Sequence, residues 1–104
     1  MNSRRVTLAV VALIVGLAWA GCATSPPVQE MSDARQAIAA AEEARADDFA
    51  PRTLGEARRY LLQAEEQIRL GNYGPARGDA IRARTRATTA LQASRAAQGA
   101  GDSP

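Results

Sequence analysis

The only cysteine of the chain, Cys22, has the most distinctive chemistry among its 104 residues. The absence of His excludes His-based catalysis and a Cys/His zinc site, and a single Cys excludes an internal disulfide. A single thiol can still act as a nucleophile when it loses its proton. The chemistry that these residue types favour is therefore a modification of Cys22 itself.

Carboxylates are the other groups that could do chemistry, and four of them cluster at Glu42, Glu43, Asp47 and Asp48. A glycosidase needs two carboxylates with different pKa values in one cleft. Adjacent residues on a helix point in different directions, and three short helices form no such cleft. We therefore expect a solvated acidic face, with no enzyme activity, no catalytic residue, no cofactor, no metal and no small-molecule substrate.

The first 21 residues have the pattern of an export signal. Arg4 and Arg5 precede an uncharged run over residues 6–20, and the small residues Ala20 and Gly21 come directly before the cysteine. This pattern predicts a secretory signal peptide over residues 1–21. The alternative is a retained transmembrane anchor, but residues 6–20 would rise only about 22 Å as a helix, less than a hydrocarbon core of ~30 Å.

The tripeptide Ala20-Gly21-Cys22 resembles the lipobox of bacterial lipoproteins, with Trp19 where that motif usually has Leu. The resemblance implies that the chain is cut before Cys22 and that this residue carries lipid on its sulfur and its amino group. Two acyl chains would then hold the chain on membrane lipid. Ala23 stands where Asp would signal inner-membrane retention, which implies the outer membrane, facing the periplasm. An unmodified thiol at a signal-peptidase cut is the alternative.

The charge of the chain depends on where it is divided. The formal net charge is +2, but residues 1–21 contain two Arg and no acid, so the remainder has 11 Arg against 11 Asp plus Glu. A nucleic-acid-binding protein needs a persistent basic surface. We therefore expect no nucleic-acid partner.

The pattern after the signal predicts an all-α fold with flexible ends. Residues 22–31, with two Pro and little apolar content, predict a tether behind the lipidated cysteine, and residues 97–104 predict a disordered tail. Residues 32–96 predict the helical domain. The first of its three helices runs from an N-cap at Ser32 to about Asp48. The second starts at Pro51, or at a capping box at Thr53, and ends at Leu70. The third runs from Tyr73 to about Ser94.

Apolar and small residues of the second and third helices recur every three or four positions, which places them on one helix face. The two stripes are Leu54, Ala57, Leu61, Ala64 and Ile68, and then Tyr73, Ala76, Ala80, Ala83, Ala87, Ala90, Ser94 and Ala97. Gly71 between them suits a helix end. Because small side chains let helices approach closely, we expect an antiparallel helical hairpin or three-helix bundle with an Ala-rich, coiled-coil-like core behind an N-terminal signal helix.

The segment Gly71-Asn72-Tyr73, followed by Ala76, joins the two stripes in a way that resembles a tetratricopeptide hairpin. The chain is more similar still, over roughly residues 32–95, to the uncharacterised helical domain of short Ala-rich bacterial lipoproteins, a domain of unknown function. In that family an Ala-rich helix leads through a segment like Phe49-Ala50-Pro51 into the hairpin. The resemblance implies a helical hairpin and assigns no catalytic residue.

Charge is divided unequally among the predicted helices, with −3 over residues 32–48, +1 over residues 52–70 and +4 over residues 72–98. One interpretation is that the acidic and basic helices lie side by side or are simply solvated. The other is that Arg77, Arg84 and Arg95, with Arg82 as a further candidate, bind an anionic lipid, lipopolysaccharide or peptidoglycan. A guanidinium pairs with phosphate or carboxylate through two hydrogen bonds.

These observations favour a non-catalytic structural or interaction module of the cell envelope. An Ala-rich core buries little apolar area, so a protein partner or self-association is expected to complete it. Tyr60 lies off the apolar stripe and is the candidate contact residue. An adaptor or assembly factor for a larger envelope complex is the further alternative.

Overall fold

The computed structural model describes residues 2–12 and 25–101, and the part of the chain that it describes is helical and contains no strand. Residues 3–12 are helical and exposed. Four further helices follow in the order α1 (Val28–Glu43), α2 (Ala46–Phe49), α3 (Pro51–Arg69) and α4 (Tyr73–Gly101). The predicted all-α fold is confirmed, and three long helices make it a three-helix bundle.

The long helices run up, down and up. Arg77 near the start of α4 pairs with Glu30 near the start of α1, and Gln98 near the end of α4 donates to the Ala44 carbonyl just after α1. Helices α1 and α4 are therefore parallel, and α3 runs antiparallel to both. Helix α4 packs against both α1 and α3, which contact each other much less.

The core consists of one stripe from each long helix, and most of its members are Ala. The buried residues of the stripes are Met31, Ala34, Ile38 and Ala41 in α1, Leu54, Ala57 and Ala64 in α3, and Ala76, Ala80, Ala83, Ala87, Ala90 and Ser94 in α4. Leu61 and Ile68 are half-buried against this core. The predicted stripes are therefore confirmed, except that Tyr73 is only half-buried and Ala97 is exposed.

Helix α1 begins four residues before the predicted N-cap. Ser32 lies inside the helix, where its hydroxyl accepts a hydrogen bond from Gln36, and Pro27 is the residue that precedes α1. A proline suits this place because the first amides of a helix have no partner within it. Met31 is buried and begins the apolar spacing of α1. The predicted tether over residues 22–31 was therefore wrong for residues 28–31.

The predicted first helix is interrupted at Arg45. Its φ of 64° and ψ of 37° are left-handed, and its N–H donates to the Glu42 carbonyl, so α1 ends and the short helix α2 begins. A left-handed residue commonly ends a helix, although Gly is the usual choice. The break lets the buried Ala46 pack into the core before the chain reverses into α3.

The remaining boundaries follow local chemistry. Helix α3 starts at Pro51, so Thr53 lies inside it and the alternative capping box is wrong. Gly71, with a φ of 77°, ends it as predicted, and the N–H groups of Gly71 and Asn72 donate to the Ile68 and Gln67 carbonyls. This pair of hydrogen bonds is a Schellman motif, which satisfies the last carbonyls of the helix.

Helix α4 continues through most of the predicted tail. It reaches Gly101, and the side chain of Gln98 ties its end to the Ala44 carbonyl at 2.7 Å. The prediction of disorder was therefore wrong for residues 97–101, because a tertiary hydrogen bond extends the helix beyond its apolar stripe. Residues 102–104 lie outside the described part of the chain.

Replacing Ser94 with Ala is expected to stabilise the bundle. The Ser94 hydroxyl is fully buried in the α4 stripe, and its oxygen has no hydrogen-bond partner among the residues that the structure describes. Because an unpaired buried hydroxyl costs about 1–3 kcal/mol, the free energy of unfolding should rise by roughly 1 kcal/mol in Ser94→Ala. Urea unfolding followed by circular dichroism measures this change.

Ser32→Ala provides the matched control, because the Ser32 hydroxyl is hydrogen-bonded and lies outside the core. It should leave the urea midpoint unchanged or lower it slightly. A Ser94→Ala midpoint at or below that of the original chain would contradict the prediction.

Candidate functional site

The predicted lipidation site lies outside the described residues. Cys22 and the preceding Ala20 and Gly21 fall within residues 13–24. The next residue that the structure describes is Ser25, whose backbone carbonyl accepts a hydrogen bond of 3.4 Å from Arg77. The chain that leads from Cys22 therefore joins the bundle beside the start of α4.

The arginine row of α4 has the geometry that its spacing predicts. Arg77, Arg84 and Arg95 are seven and eleven residues apart, which is close to two and three turns, so they lie along one side of the helix. Arg77 pairs with Glu30 across the α1–α4 contact at 3.1 Å and is half-buried. Arg77 therefore forms an ion pair between two helices of the bundle, whereas Arg84 and Arg95 remain exposed.

Arg84 and Arg95 are exposed and form no ion pair within residues 2–12 and 25–101. Arg95 borders a surface groove between the end of α1 and the end of α4, which Glu43 and Gln98 also line. These two guanidinium groups lie about 16 Å apart along the helix. They can each bind an anion without breaking a contact of the bundle.

Ion pairs join the three long helices, as the side-by-side interpretation of the charges predicts. Besides Arg77–Glu30, the interhelical pairs are Arg35–Glu65 between α1 and α3, Arg58 with Glu42 and Asp47, and Arg86–Glu56 between α3 and α4. Most of these side chains are well exposed, so each pair contributes little stability. Their value is in selecting the register of one helix against the next.

Three of the four clustered carboxylates form ion pairs, and Glu43 forms none in the described part of the chain. Asp47 receives two hydrogen bonds from the Arg58 guanidinium, of 2.9 and 3.3 Å, and Asp48 pairs with Arg45 at 3.1 Å. The hydrogen bonds from Arg58 hold the pKa of Asp47 below its ordinary value, and they raise the pKa of Arg58. Among the described residues, no group of three or more Cys, Asp or Glu side chains is arranged to hold a metal ion.

Tyr60 lies at the outer edge of the α3–α4 contact. It is half-buried, and the Arg59 guanidinium carbon is 5.8 Å from the centroid of its ring. The shallow groove that it borders is also lined by Ile81, Arg82, Thr85 and Arg86. Tyr60 is therefore partly accessible to solvent in a groove that also contains an exposed Ile81 and two arginines.

The sequence interpretation missed an exposed apolar pair at one end of the bundle. Val28 begins α1 and Leu70 follows α3, and both are more than half exposed. The predicted tether includes Val28 and the predicted second helix ends at Leu70, so the sequence pattern indicates neither as a surface contact. A signal was present in the sequence, because residues 25–29 and 70–76 contain no charged side chain.

No helix among the described residues is long and apolar enough to cross a membrane. The family described as Domain of unknown function (DUF4398) matches residues 29–101, which span all four numbered helices except the first residue of α1. Searches of the curated proteins and of the solved structures found no match.

Replacing Asp47 with Asn tests the Arg58 pair through its pH dependence. Because the pKa of Asp47 is lowered in the folded chain, the pair stabilises the fold above the ordinary value of 3.8, and this contribution disappears as the pH falls through the lowered pKa. Asp47→Asn should therefore be less stable near neutral pH and lose less stability on acidification to about pH 2. Urea unfolding across this range measures both effects.

Glu43→Gln is the control, since Glu43 is exposed and forms no ion pair in the described part of the chain. It should keep the acid-dependent loss of the original chain. Part of that loss will also persist in Asp47→Asn, because hydrogen bonds from Arg69 lower the pKa of Glu66. Identical pH profiles for Asp47→Asn and the original chain would refute a role for the pair.

Proposed function

The chain belongs to the DUF4398 family, and from that premise we propose that it is a bacterial lipoprotein that acts as a non-catalytic helical interaction module in the cell envelope. One observation carries the proposal. The tripeptide Ala20-Gly21-Cys22 follows an uncharged run that begins behind Arg4 and Arg5. This is the arrangement that export and lipidation of a cysteine require.

The residues after the cysteine support a location at the outer membrane. Ala23 follows Cys22, and Asp, the usual signal for retention at the inner membrane, is absent from that position. Acyl chains on Cys22 would insert into lipid, and the helical domain would face the periplasm. Membrane lipid is thus the first partner of the chain.

The state of the carboxylates supports a non-catalytic role. A general acid and a general base must reach a substrate with their pKa values separated by their surroundings. Asp47 and Asp48 instead pair with Arg58 and Arg45 at the surface. These pairs serve the turn between α1 and α3, and we assign the chain no cofactor and no small-molecule substrate.

The composition of the core supports an interaction role. Its stripes contain mostly Ala, which buries far less apolar area than Leu at about 25 cal/mol per Å². Large apolar side chains remain outside, including Ile81 beside Tyr60 and Leu62 on another side of α3. A protein partner or a second copy that covers the Tyr60 groove would add the apolar burial that the monomer lacks.

Labelling with a palmitate analogue tests the anchor. The original chain should take up the label and remain with the outer membrane on fractionation. Cys22→Ser should lose the label completely, because a hydroxyl does not replace the thiolate nucleophile, and it should no longer fractionate with the outer membrane. Ala23→Ser is the matched control, which introduces the same residue one position later and should keep the label. A label that persists on Cys22→Ser, or is absent from the original chain, would overturn the proposal.

A second candidate function is the binding of an anionic envelope polymer by α4. The observation that favours it is the exposure of Arg84 and Arg95 on one side of the helix, without ion pairs in the described part of the chain. Phosphate groups of lipopolysaccharide and carboxylates of peptidoglycan are both anions that a guanidinium binds through two hydrogen bonds. Arg77 contributes little to such a surface because Glu30 already neutralises it.

The double variant Arg84→Ala/Arg95→Ala should bind lipopolysaccharide or purified sacculi at least about tenfold more weakly, since a hydrogen bond to a charged group contributes about 1.5 kcal/mol or more. The measurement is a binding titration at increasing salt. Arg82→Ala/Arg86→Ala is the control, because it removes equal charge from residues already paired with Asp79 and Glu56. Equal weakening by both double variants, or binding that is insensitive to salt, would count against this function.

A further inference from the structure

We infer that one end of the bundle rests on the lipid surface and inserts Leu70 and Val28 among the lipid headgroups. This end, called the α3–α4 tip below, consists of residues 25–29 and 70–76. The inference rests on the proposed function, because it requires Cys22 to carry the lipid anchor. It adds the orientation of the domain and the side chains that touch the membrane.

The first argument is the length of chain between the anchor and the tip. Only Ala23 and Thr24 separate Cys22 from Ser25, and three residue steps of fully extended chain span at most about 11 Å. Ser25 is held at the tip, because its carbonyl accepts a hydrogen bond from Arg77, which also pairs with Glu30. A lipid on Cys22 therefore keeps Ser25 within about 11 Å of the anchored cysteine. That distance corresponds to one to two headgroup layers, since each layer is roughly 5–8 Å thick.

The second argument is the exposure of apolar side chains at the same end. Val28 is 73% exposed and Leu70 is 54% exposed. The half-buried Tyr73 begins α4 immediately after this turn. An aliphatic pair with a neighbouring tyrosine is suited to the boundary between water and lipid, where aromatic rings concentrate.

The third argument is the distribution of charge between the two ends. Residues 25–29 and 70–76 contain no charged side chain, whereas residues 43–52 at the opposite end contain Glu43, Arg45, Asp47, Asp48 and Arg52. Phe49 at that end is also exposed, but the Arg45 guanidinium carbon lies 5.4 Å from the centroid of its ring. Moving the tip from water into headgroups and acyl chains therefore costs less desolvation free energy than moving the opposite end.

Three hydrogen-bond donors of the turn are already paired, which further lowers the cost of contact with lipid. The N–H groups of Gly71 and Asn72 donate within the turn, and the Asn72 amide donates to the Gln67 side chain at 2.9 Å. Two apolar side chains alone would bind lipid weakly. Acyl chains on Cys22 raise their effective concentration at the surface, so weak insertion is enough to orient the domain.

A tryptophan reporter on the full lipidated chain tests this inference. Trp19→Leu removes the only tryptophan of the chain, and Leu70→Trp or Phe49→Trp then places one reporter at the tip or at the opposite end. Each chain is reconstituted in phosphatidylethanolamine/phosphatidylglycerol vesicles with and without brominated acyl chains. The expected result is quenching of Leu70→Trp by brominated lipid at least severalfold stronger than that of Phe49→Trp. Val28→Trp should behave like Leu70→Trp, which guards against a misfolded turn.

Failure of the inference is distinguishable from failure of the anchor. Uptake of the palmitate analogue by every variant shows that the chain is lipidated. A labelled chain in which the tip reporters are quenched no more than Phe49→Trp would overturn the orientation and leave the lipoprotein proposal standing. Tip reporters that are shielded from water but not quenched by brominated lipid would assign the tip to a second copy instead. An unlabelled chain would overturn both proposals.

Discussion

The close approach of α1 and α3 to the small residues of α4 is the constraint on which the rest of the structure depends. Six stripe positions of α4 are fully buried, and none of them carries a side chain larger than Ser. A helix surface of this kind lets its neighbours lie at the short end of the usual interaxial range of about 8–10 Å. Helix α4 can therefore contact both other helices along its length, while α1 and α3 contact each other little.

A core of small residues allows close helix packing but buries little apolar area, so other interactions must select the register of one helix against the next. Leu54 is the largest fully buried side chain, and it belongs to one core cluster with Ile38 and Ala90. A shift by one turn along the Ala stripe would change the buried area little. It would, however, separate interhelical pairs such as Arg77–Glu30 and Arg58–Asp47. These exposed pairs matter more for choosing one register than for overall stability.

The sequence predicted those features of the fold that follow from spacing alone. The stripes of α3 and α4, apart from Tyr73 and Ala97, and the left-handed end at Gly71 were confirmed, as was Pro51, one of the two predicted starts of α3. Each of these features depends on residues near in sequence. The errors have tertiary causes. Arg45 adopts a left-handed conformation where no Gly marks it, and the hydrogen bond from Gln98 to Ala44 spans 54 positions of the chain.

The candidate site, like the fold, was predicted where it depends on local spacing and missed where it depends on tertiary contacts. The spacing of Arg77, Arg84 and Arg95 predicted one row on α4, since whole turns of a helix repeat a direction. The spacing did not predict that Glu30 would form an ion pair with Arg77, because the predicted tether includes Glu30 and the two residues are 47 positions apart in the chain. Burial of Met31 draws this segment into α1 and so brings Glu30 to α4. The burial of Met31 therefore turns Arg77 from a candidate anion-binding residue into a contact between α1 and α4.

The number of helices determines where the two candidate surfaces lie. In an up-down-up bundle the entrance of the chain, at Ser25, and the α3–α4 turn share one end, whereas the α1–α3 connection lies at the other. Arg95 is eighteen residues beyond Arg77 on α4, which is about 27 Å along the helix axis. On the orientation proposed above, the uncharged tip faces lipid and Arg95 stands well above the headgroups. The same chain can therefore touch the membrane with apolar side chains and present its unpaired arginines to a partner that lies outside the lipid.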